Sequence, residues 1–178
     1  MKNNIETVVL GGGCFWCTEA IFEAVNGVLD VTSGYAGGTV PGKPTYREIC
    51  SGLTGHAEVV KITFDSSIIS LEDLILIFMT THNPTTLNQQ GADKGTQYRS
   101  VIFYQNTNQK ITSEKIIESL ANVFDAKIVT EVSLLPTFFE AEKEHQDFYK
   151  ENTEQPYCNY VITPKLNALR KLHAEKLK

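Results

Sequence analysis

The chain has 178 residues, of which 42% are hydrophobic and 21% are charged, and its formal net charge is -5. These values are typical of a globular protein that buries its own core, so we expect residues 1–178 to form a single domain. Without a dense run of lysine and arginine, the negative charge argues against a nucleic-acid partner. No apolar stretch approaches the roughly 20 residues that span a bilayer, and the first residues lack the apolar core of a secretory signal. We therefore expect a cytoplasmic protein with no membrane partner, where four cysteines favour catalytic, redox or metal chemistry over permanent disulfides.

A strand followed by a helix is predicted around the first two cysteines. The apolar run 8–10 is followed by the glycines 11–13, which is typical of a buried strand, and residues 19–25 have helical character. Cys14 and Cys17 therefore lie where the strand turns into the helix. Because the first turn of a helix carries unpaired N–H groups and a partial positive charge, we expect a reactive thiolate at Cys14; the alternative is a buried structural thiol.

The middle of the chain alternates strands and helices, joined by loops rich in glycine. Alternating polarity or short apolar runs predict strands at 28–33, 59–64 and 101–104. Helical spacing predicts a short helix at 46–50 and an amphipathic helix at about 71–81.

The last third of the chain is predicted to hold three helices and one strand. The helices cover 108–123, about 139–151 and 164–178, and the strand covers 129–134. The segment around 152–162 is rich in turn residues, and we expect it to be flexible. In the helix at 108–123, four apolar residues are expected to face the core: Ile111, Ile116, Ile117 and Leu120.

Strands interleaved with helices, several of them alternating in polarity, indicate an α+β protein. We predict a two-layer α/β sandwich with a mixed sheet, helices mostly on one face, and a ferredoxin-like core with long loops. The long irregular loops between strands argue against a doubly wound parallel sheet.

The polar residues that could perform chemistry fall in four clusters, each at the end of a predicted strand or helix. The clusters are Cys14–Cys17, Tyr46, His56–Glu58 and Asp93–Tyr98. If they converge at one edge of the sheet, a thiolate lies beside a carboxyl group, two phenols and a Phe–Trp pair. Such a set suits attack by sulfur on an electrophile, with an acid assisting the departing oxygen. A lone carboxylate is more often solvated and a lone tyrosine more often packed, so the inference depends on the combination.

Five motifs, in this order, resemble those of the A-type peptide methionine sulfoxide reductases. They are Gly-Cys-Phe-Trp-Cys-x-Glu from Gly13, Gly-Tyr-x-Gly-Gly from Gly34, Pro-Thr-Tyr-Arg-Glu-x-Cys-Ser-Gly from Pro44, Thr-Gly-His-Ala-Glu from Thr54, and Gly-x-Asp-x-Gly-Thr-Gln-Tyr-Arg-Ser from Gly91. The resemblance runs from about residue 8 to residue 162, and five ordered motifs are very specific. It implies thiol-dependent reduction of the S epimer of methionine sulfoxide, free or in proteins.

The resemblance also implies a role for each site residue. Cys14 attacks the sulfoxide sulfur and becomes a sulfenic acid, while Glu58 supplies a proton to the oxygen. Phe15 and Trp16 form the pocket for the substrate methyl group. Polar residues that assist around the oxygen are Tyr46, Tyr98 and Asp93. A proton donor must be neutral near pH 7, and burial of Glu58 against the aromatic pair would keep it so.

The sulfenic acid needs a second thiol, and the sequence offers two. Cys158 resembles the C-terminal resolving cysteine of many relatives, whereas Cys17 has the CxxC spacing that permits a disulfide with Cys14. We favour Cys158, within a resolving segment at 152–162, and expect Cys50 to be a buried structural thiol. The resemblance further implies thioredoxin, or dithiothreitol in vitro, as the reductant of a monomer without a bound cofactor or metal.

Two other functions remain open from the residues alone. A thioredoxin-like dithiol oxidoreductase would use the CxxC pair but leaves Glu58, Tyr46 and Tyr98 without a role. A metal-binding module would use Cys14, Cys17 and a distant cysteine or histidine, but a single CxxC without a second pair is a weak signal. His145 is expected to be a hydrogen-bonded structural histidine.

Overall fold

The computed structural model describes residues 3–178. Its helices are α1 (Phe15–Glu23), α2 (Tyr46–Cys50), α3 (Leu71–Thr80), α4 (Thr107–Ser119), α5 (Phe148–Glu151) and α6 (Thr163–His173). Its strands are β1 (Ile5–Gly11), β2 (Val28–Ala36), β3 (Ala57–Asp65), β4 (Gln89–Gln90), β5 (Asp93–Lys94), β6 (Val101–Tyr104), β7 (Glu131–Leu134) and β8 (Phe139–Glu140). Within residues 3–178, no helix has both the length and the apolar character needed to cross a bilayer.

The main sheet has the strand order β7-β6-β1-β3-β2-β8. Its four central strands, β6, β1, β3 and β2, are antiparallel to one another, with α1 linking β1 to β2 and α3 linking β3 to β6. This is the split βαββαβ arrangement of ferredoxin-like folds. At one edge β7 pairs in parallel with β6, so the sheet is mixed. The predicted α+β class and ferredoxin-like core are confirmed.

Strand side chains alternate between the two faces of the sheet, so each face has its own buried cluster. The two clusters differ in size. In β1, Val8 and Leu10 belong to the large core formed with α1 and α3, whereas Val9 belongs to a smaller cluster on the opposite face. The remaining buried members of that smaller cluster are Ala36, Ala57, Val59, Val101 and Phe103. The helices therefore cover mainly one face, as predicted.

The prediction of one helix at 139–151 is wrong. The backbone N–H of Ala141 donates to the carbonyl of Ser33 at 2.9 Å, which extends the pairing of β8 with β2 instead of starting a helix. A single 3-10 turn follows at Lys143–His145, and Asp147 has a φ of 52°, a left-handed conformation that interrupts any continuous helix. Only the four residues of α5 are α-helical here.

The prediction for α4 is also partly wrong. The helix ends at Ser119 rather than at 123, and Ile111 is 46% exposed. The buried positions of the helix are polar: Gln109, Thr112 and Ser113. Gln109 donates from its side-chain amide to the carbonyl of Thr7 at 2.7 Å, so hydrogen bonds hold this face against β1. Leu120 is buried as expected, just beyond the helix.

The C-terminal segment is more ordered than the sequence suggests. Cys158 begins a π-helical turn, Cys158–Ile162, that runs into α6, and the Cys158 side chain is fully buried. The expected flexibility at this cysteine is therefore wrong, because its side chain joins the main core. Helix α6 is shorter than the predicted 164–178, since a 3-10 turn replaces it at Ala174–Lys176.

Candidate active site

The site is built on the glycine turn between β1 and α1. Gly13 has a φ of 95°, and a Cβ atom there would lie 2.7 Å from the side chain of Gln90. A Cβ on Gly12 would lie 2.9 Å from the ring of Phe78. Larger residues would strain this backbone, so the glycines set where α1 begins and place Cys14 as its N-cap residue.

The two cysteines of the turn form one coupled pair. The Cys17 thiol, burial and the charge of Glu58 all raise the pKa of Cys14. The Cys14 thiol in turn lowers the pKa of Cys17 to about 7. The first ionisation of the two thiols therefore belongs to the pair.

The direction of the Cys14 pKa is opposite to the one that the predicted thiolate requires. The N–H of Phe15, the first of α1, donates to Glu58 at 3.2 Å and is not available to stabilise a sulfur anion. Cys14 remains the more accessible of the two thiols, with 7% of its surface exposed against 2% for Cys17.

Glu58 is a buried, protonated carboxyl group beside the thiol pair. It lies near the start of β3, is 1% exposed, and accepts the Phe15 N–H bond at Oε1. Burial raises the pKa of Glu58 to about 8, the Phe15 N–H opposes that rise, and the charges of Asp93 and Cys17 add to it. Oε2 has no hydrogen-bond partner within residues 3–178, so it is free to donate a proton to a bound molecule.

The two phenols and the second carboxyl group lie around Glu58. Burial raises the pKa of both Tyr46 and Tyr98, and the charges of Glu58 and Cys14 contribute to each rise. Burial also raises the pKa of Asp93, whose charge in turn acts on Glu58 and Tyr98. Tyr46 begins α2, Tyr98 ends a 3-10 turn and Asp93 begins β5, so the four predicted clusters converge.

An aromatic wall lines the same site. Phe15 is fully buried, with its ring centroid 5.6 Å from that of Tyr35 and 6.4 Å from that of Tyr46. Trp16 is partly buried and stacks on Phe148 with the centroids 3.7 Å apart and the planes 5° apart. The wall supplies an apolar surface next to a polar cluster.

Glu19, the last residue of the first motif, supports this wall from behind. It is 1% exposed and accepts hydrogen bonds from the hydroxyl of Ser33 at 2.9 Å and from the N–H of Phe148 at 3.1 Å. Burial raises the pKa of Glu19, and these bonds oppose the rise. The carboxyl group therefore holds the residue that stacks on Trp16.

Sequence reasoning missed two side chains at the site, Tyr157 and Glu142. The hydroxyl of Tyr157 lies 3.5 Å from the sulfur of Cys17, and its ring meets Trp16 edge-on at 5.6 Å. Glu142 accepts the backbone N–H of Tyr46, and His145 is hydrogen-bonded, as predicted, because it accepts the indole N–H of Trp16. The only signal for Tyr157 was its proximity to Cys158 in sequence.

The position of Cys50 contradicts its prediction. Cys50, expected to be buried, is exposed at the end of α2. A five-residue helix with one buried position, Ile49, leaves its last residue on the surface.

The metal-binding alternative gains no support from this arrangement. Within residues 3–178, no group of three or more histidine, cysteine, aspartate or glutamate side chains is placed to hold a metal ion.

The fold and the site together define a class: a thiol-dependent oxidoreductase in which a pair of cysteines lies beside a buried carboxylic acid and an apolar wall. A family model described as "Peptide methionine sulfoxide reductase" matches residues 6–177. The chain belongs to this family, and it is an enzyme that reduces methionine sulfoxide.

Individual relatives agree with the family model. The chain is 51% identical to the peptide methionine sulfoxide reductase MsrA of Saccharolobus solfataricus over 98% of each chain. Its structure is similar to that of methionine sulfoxide reductase A of Corynebacterium diphtheriae, with a TM-score of 0.81, 35% identity, and coverage of 85% of this chain and 77% of that one. It also resembles Mxr1 from Saccharomyces cerevisiae in reduced form, with a TM-score of 0.80, 32% identity, and coverage of 87% and 90%.

Proposed function

We propose that the chain reduces the S epimer of methionine sulfoxide with Cys14 as nucleophile and Glu58 as proton donor. The observation that carries this proposal is the free Oε2 of a buried, protonated Glu58 next to the accessible thiol of the pair. A sulfoxide oxygen gains basicity as its sulfur is attacked, so a neutral acid in contact with it lowers the barrier.

The first step transfers oxygen from one sulfur to another. The proton of the Cys14 thiol moves to the ionised Cys17 sulfur, and the Cys14 sulfur attacks the sulfoxide sulfur to form a sulfur–sulfur bond. Glu58 protonates the oxygen, the S–O bond of the substrate breaks, and the sulfur–sulfur bond breaks as the hydroxyl passes to Cys14. In the net reaction, the oxygen ends on Cys14 as a sulfenic acid, Cys14 is oxidised by two electrons, and methionine leaves, reduced by two electrons.

The surrounding residues orient the substrate. Tyr46 and Tyr98 keep their phenolic protons and can donate to the same oxygen, while the carboxyl of Asp93 organises the polar side of the site. Phe15 and Trp16 offer the apolar surface for the methyl group. A fixed polar side and a fixed apolar side distinguish the two epimers, because inverting the sulfur exchanges the positions of oxygen and methyl group.

Resolution of the sulfenic acid involves both remaining buried cysteines in our proposal. The sequence favours Cys158, but the contacts favour Cys17 as the first thiol to react, because its backbone N–H donates to the carbonyl of Cys14 at 3.1 Å and keeps the two residues together. Cys17 attacks the Cys14 sulfenic acid, forming a disulfide and releasing water. Cys158, whose pKa is raised by burial and by the charge of Cys17, then exchanges into that disulfide.

We further propose thioredoxin as the physiological reductant, which opens the disulfide as its own dithiol is oxidised. Mxr1 has also been solved in complex with Trx2, in a structure that shares this fold with a TM-score of 0.57 and 22% identity. A monomeric state, a cytoplasmic location and one catalytic domain over 1–178 with a resolving segment around 152–162 complete the proposal as predictions.

The main test is reduction of the separate S and R epimers of a methionine sulfoxide peptide with dithiothreitol. We expect the S epimer to be reduced and the R epimer to be inert, and we expect Cys14→Ser to abolish activity. Glu58→Gln keeps a hydrogen-bond donor and should retain more activity than Glu58→Ala. Equal rates on both epimers, or an active Cys14→Ser, would refute the assignment.

The resolving order is tested with thioredoxin as reductant in Cys17→Ser and Cys158→Ser. We expect Cys158→Ser to accumulate a Cys14–Cys17 disulfide after one turnover, identified by mass spectrometry of peptides. Cys17→Ser should accumulate the sulfenic acid for longer before any disulfide forms. A Cys14–Cys158 disulfide forming at the same rate with and without Cys17 would show that Cys158 reacts first.

A further inference from the structure

We propose that Glu142 and His145 are positioning residues that hold the Trp16 indole and the start of α2 at a fixed separation, and so set the width of the apolar pocket. This inference rests on the proposed role of Trp16 in binding the substrate methyl group. Both residues come from the segment between β8 and α5, which lies far from either wall of the pocket in sequence.

Trp16 is held by one hydrogen bond to His145. The indole N–H donates to Nδ1 of His145 at 3.1 Å, and the two rings are close to parallel, 19° apart. Stacking with Phe148 confines the indole on a second side. Because Nδ1 accepts, the imidazole is neutral and carries its proton on Nε2, which lies 3.7 Å from a carboxylate oxygen of Glu142.

Glu142 holds the start of α2. Oε1 of Glu142 accepts the N–H of Tyr46 at 2.8 Å, and Oε2 accepts the hydroxyl of Tyr35 at 2.8 Å. The ring of Tyr46 lies 4.2 Å from that of His145, centroid to centroid. One short segment therefore fixes the backbone of Tyr46 and the side chain of Trp16 at once. Removing it would leave an indole N–H without its acceptor and α2 without its anchor.

This arrangement depends on the protonation of His145. An imidazolium has no lone pair at Nδ1, so it cannot accept the indole N–H. Burial lowers the pKa of His145, while the charges of Glu142 and Glu144 raise it, and the net direction is downward. The contact is therefore intact at neutral pH and lost in acid. The other titratable groups in contact with the two rings are Tyr46 and Tyr157. Beyond them, Tyr35 donates to Glu142, and Cys17 lies against the hydroxyl of Tyr157.

The test uses Trp16, which is the only tryptophan in the chain and so the only source of indole fluorescence. His145→Asn places an oxygen near the position of Nδ1 and retains an acceptor. His145→Phe keeps an aromatic ring against Tyr46 but has none. In the wild type we expect acid quenching of Trp16 with a midpoint below the ordinary histidine value of 6.5, and no such transition in either variant.

The kinetic readout separates positioning from general damage. We expect His145→Phe to raise KM for the S-sulfoxide peptide on the order of tenfold, the effect of one buried donor left unpaired, with a much smaller change in kcat. His145→Asn should restore KM towards the wild-type value. Glu142→Gln should lower the midpoint of the fluorescence transition, whereas the exposed Glu140→Gln should leave it unchanged.

Equal KM values in wild type and His145→Phe would overturn the proposal, as would an unchanged acid transition in His145→Phe. Equal losses in the Asn and Phe variants would do the same, since the acceptor would then not matter. Far-ultraviolet circular dichroism and the urea midpoint verify that each variant is folded. Because the fluorescence titration needs no substrate, it tests the contact even if the assigned epimer or nucleophile is wrong.

Discussion

At the scale of single residues, the proposed mechanism depends on two ionisations that run in opposite directions. It needs the cysteine pair to lose a proton, for which the pKa of Cys17 is about 7, and it needs Glu58 to keep one, with a pKa of about 8. Both values are set by neighbours: the Cys14 thiol in the first case and burial in the second. The reactive form of the site is therefore most populated between these values.

We predict a bell-shaped pH profile for the single turnover in which methionine forms without added reductant. The rate should rise with pH through about 7 as the pair ionises and fall above about 8 as Glu58 loses its proton. Glu58→Gln should keep the rising limb and lose the falling one, because an amide does not ionise in this range. Quenched-flow measurement of methionine tests this, and an unchanged falling limb in Glu58→Gln would assign it to another group.

Much of the site follows from single residues, but their electrostatics do not. The motifs and the β1–α1 turn place Cys14, Phe15 and Trp16 from sequence alone. The route of the Phe15 N–H to Glu58 depends on the pairing of β1 with β3, which no local pattern specifies. No local pattern shows the contact with Cys17 that raises the pKa of Cys14, so the sequence predicts a low pKa there instead.

At the scale of elements, α2 is a five-residue helix whose stability depends on its cap. The Thr45 hydroxyl accepts a hydrogen bond from the N–H of Glu48, and the Glu48 carboxylate accepts one from the N–H of Thr45, both at 3.3 Å. This capping box fixes the first turn, which carries Tyr46 into the site. Short helices have little stability of their own, so the cap and the Glu142 bond carry this one.

We predict that Thr45→Ala lowers the free energy of unfolding by about 1 kcal/mol, the usual cost of losing an N-cap side chain. Thr137→Ala, at an exposed position outside any helix, is the matched control and should change it by less than about 0.5 kcal/mol. Urea unfolding followed by circular dichroism measures both. Equal effects in the two variants would show that the cap contributes nothing specific.

The elements that sequence predicts well are those with an uninterrupted period. Strand β3 alternates from Val60 to Asp65, and α3 keeps a continuous apolar stripe, so both are found within two residues of their bounds. The segment 139–151 also has helical spacing, yet the N–H of Ala141 bonds to Ser33 and Asp147 has a positive φ. Long-range pairing outweighs local preference there, and the segment's own residues do not reveal it.

At the scale of the whole molecule, the buried acid couples activity to stability. The pKa of Glu58 is about 8 in the folded protein against an ordinary value of 4.5. The contribution of the protonated Glu58 to the free energy of unfolding is fully present below pH 4.5. It is lost as the pH rises through about 8, because ionisation in the buried site is unfavourable. A tenfold change in an acid dissociation constant corresponds to about 1.4 kcal/mol, so the effect on the free energy of unfolding is on the order of a few kcal/mol.

We predict that Glu58→Gln gains stability relative to the wild type as the pH is raised from about 5 to about 9, across the range in which Glu58 ionises. The difference between the two free energies of unfolding should move in favour of the variant, since glutamine has no proton to lose. Urea titrations of both proteins at several pH values give this difference directly. A difference that stays constant with pH would mean that Glu58 is not protonated in the folded state.

The two edge strands of the main sheet are short: β8 has two residues and β7 has four. Unpaired backbone groups on a long edge strand would invite foreign segments to add to the sheet. With edge strands this short, β7 and β8 themselves offer few free backbone groups for such a segment to pair with.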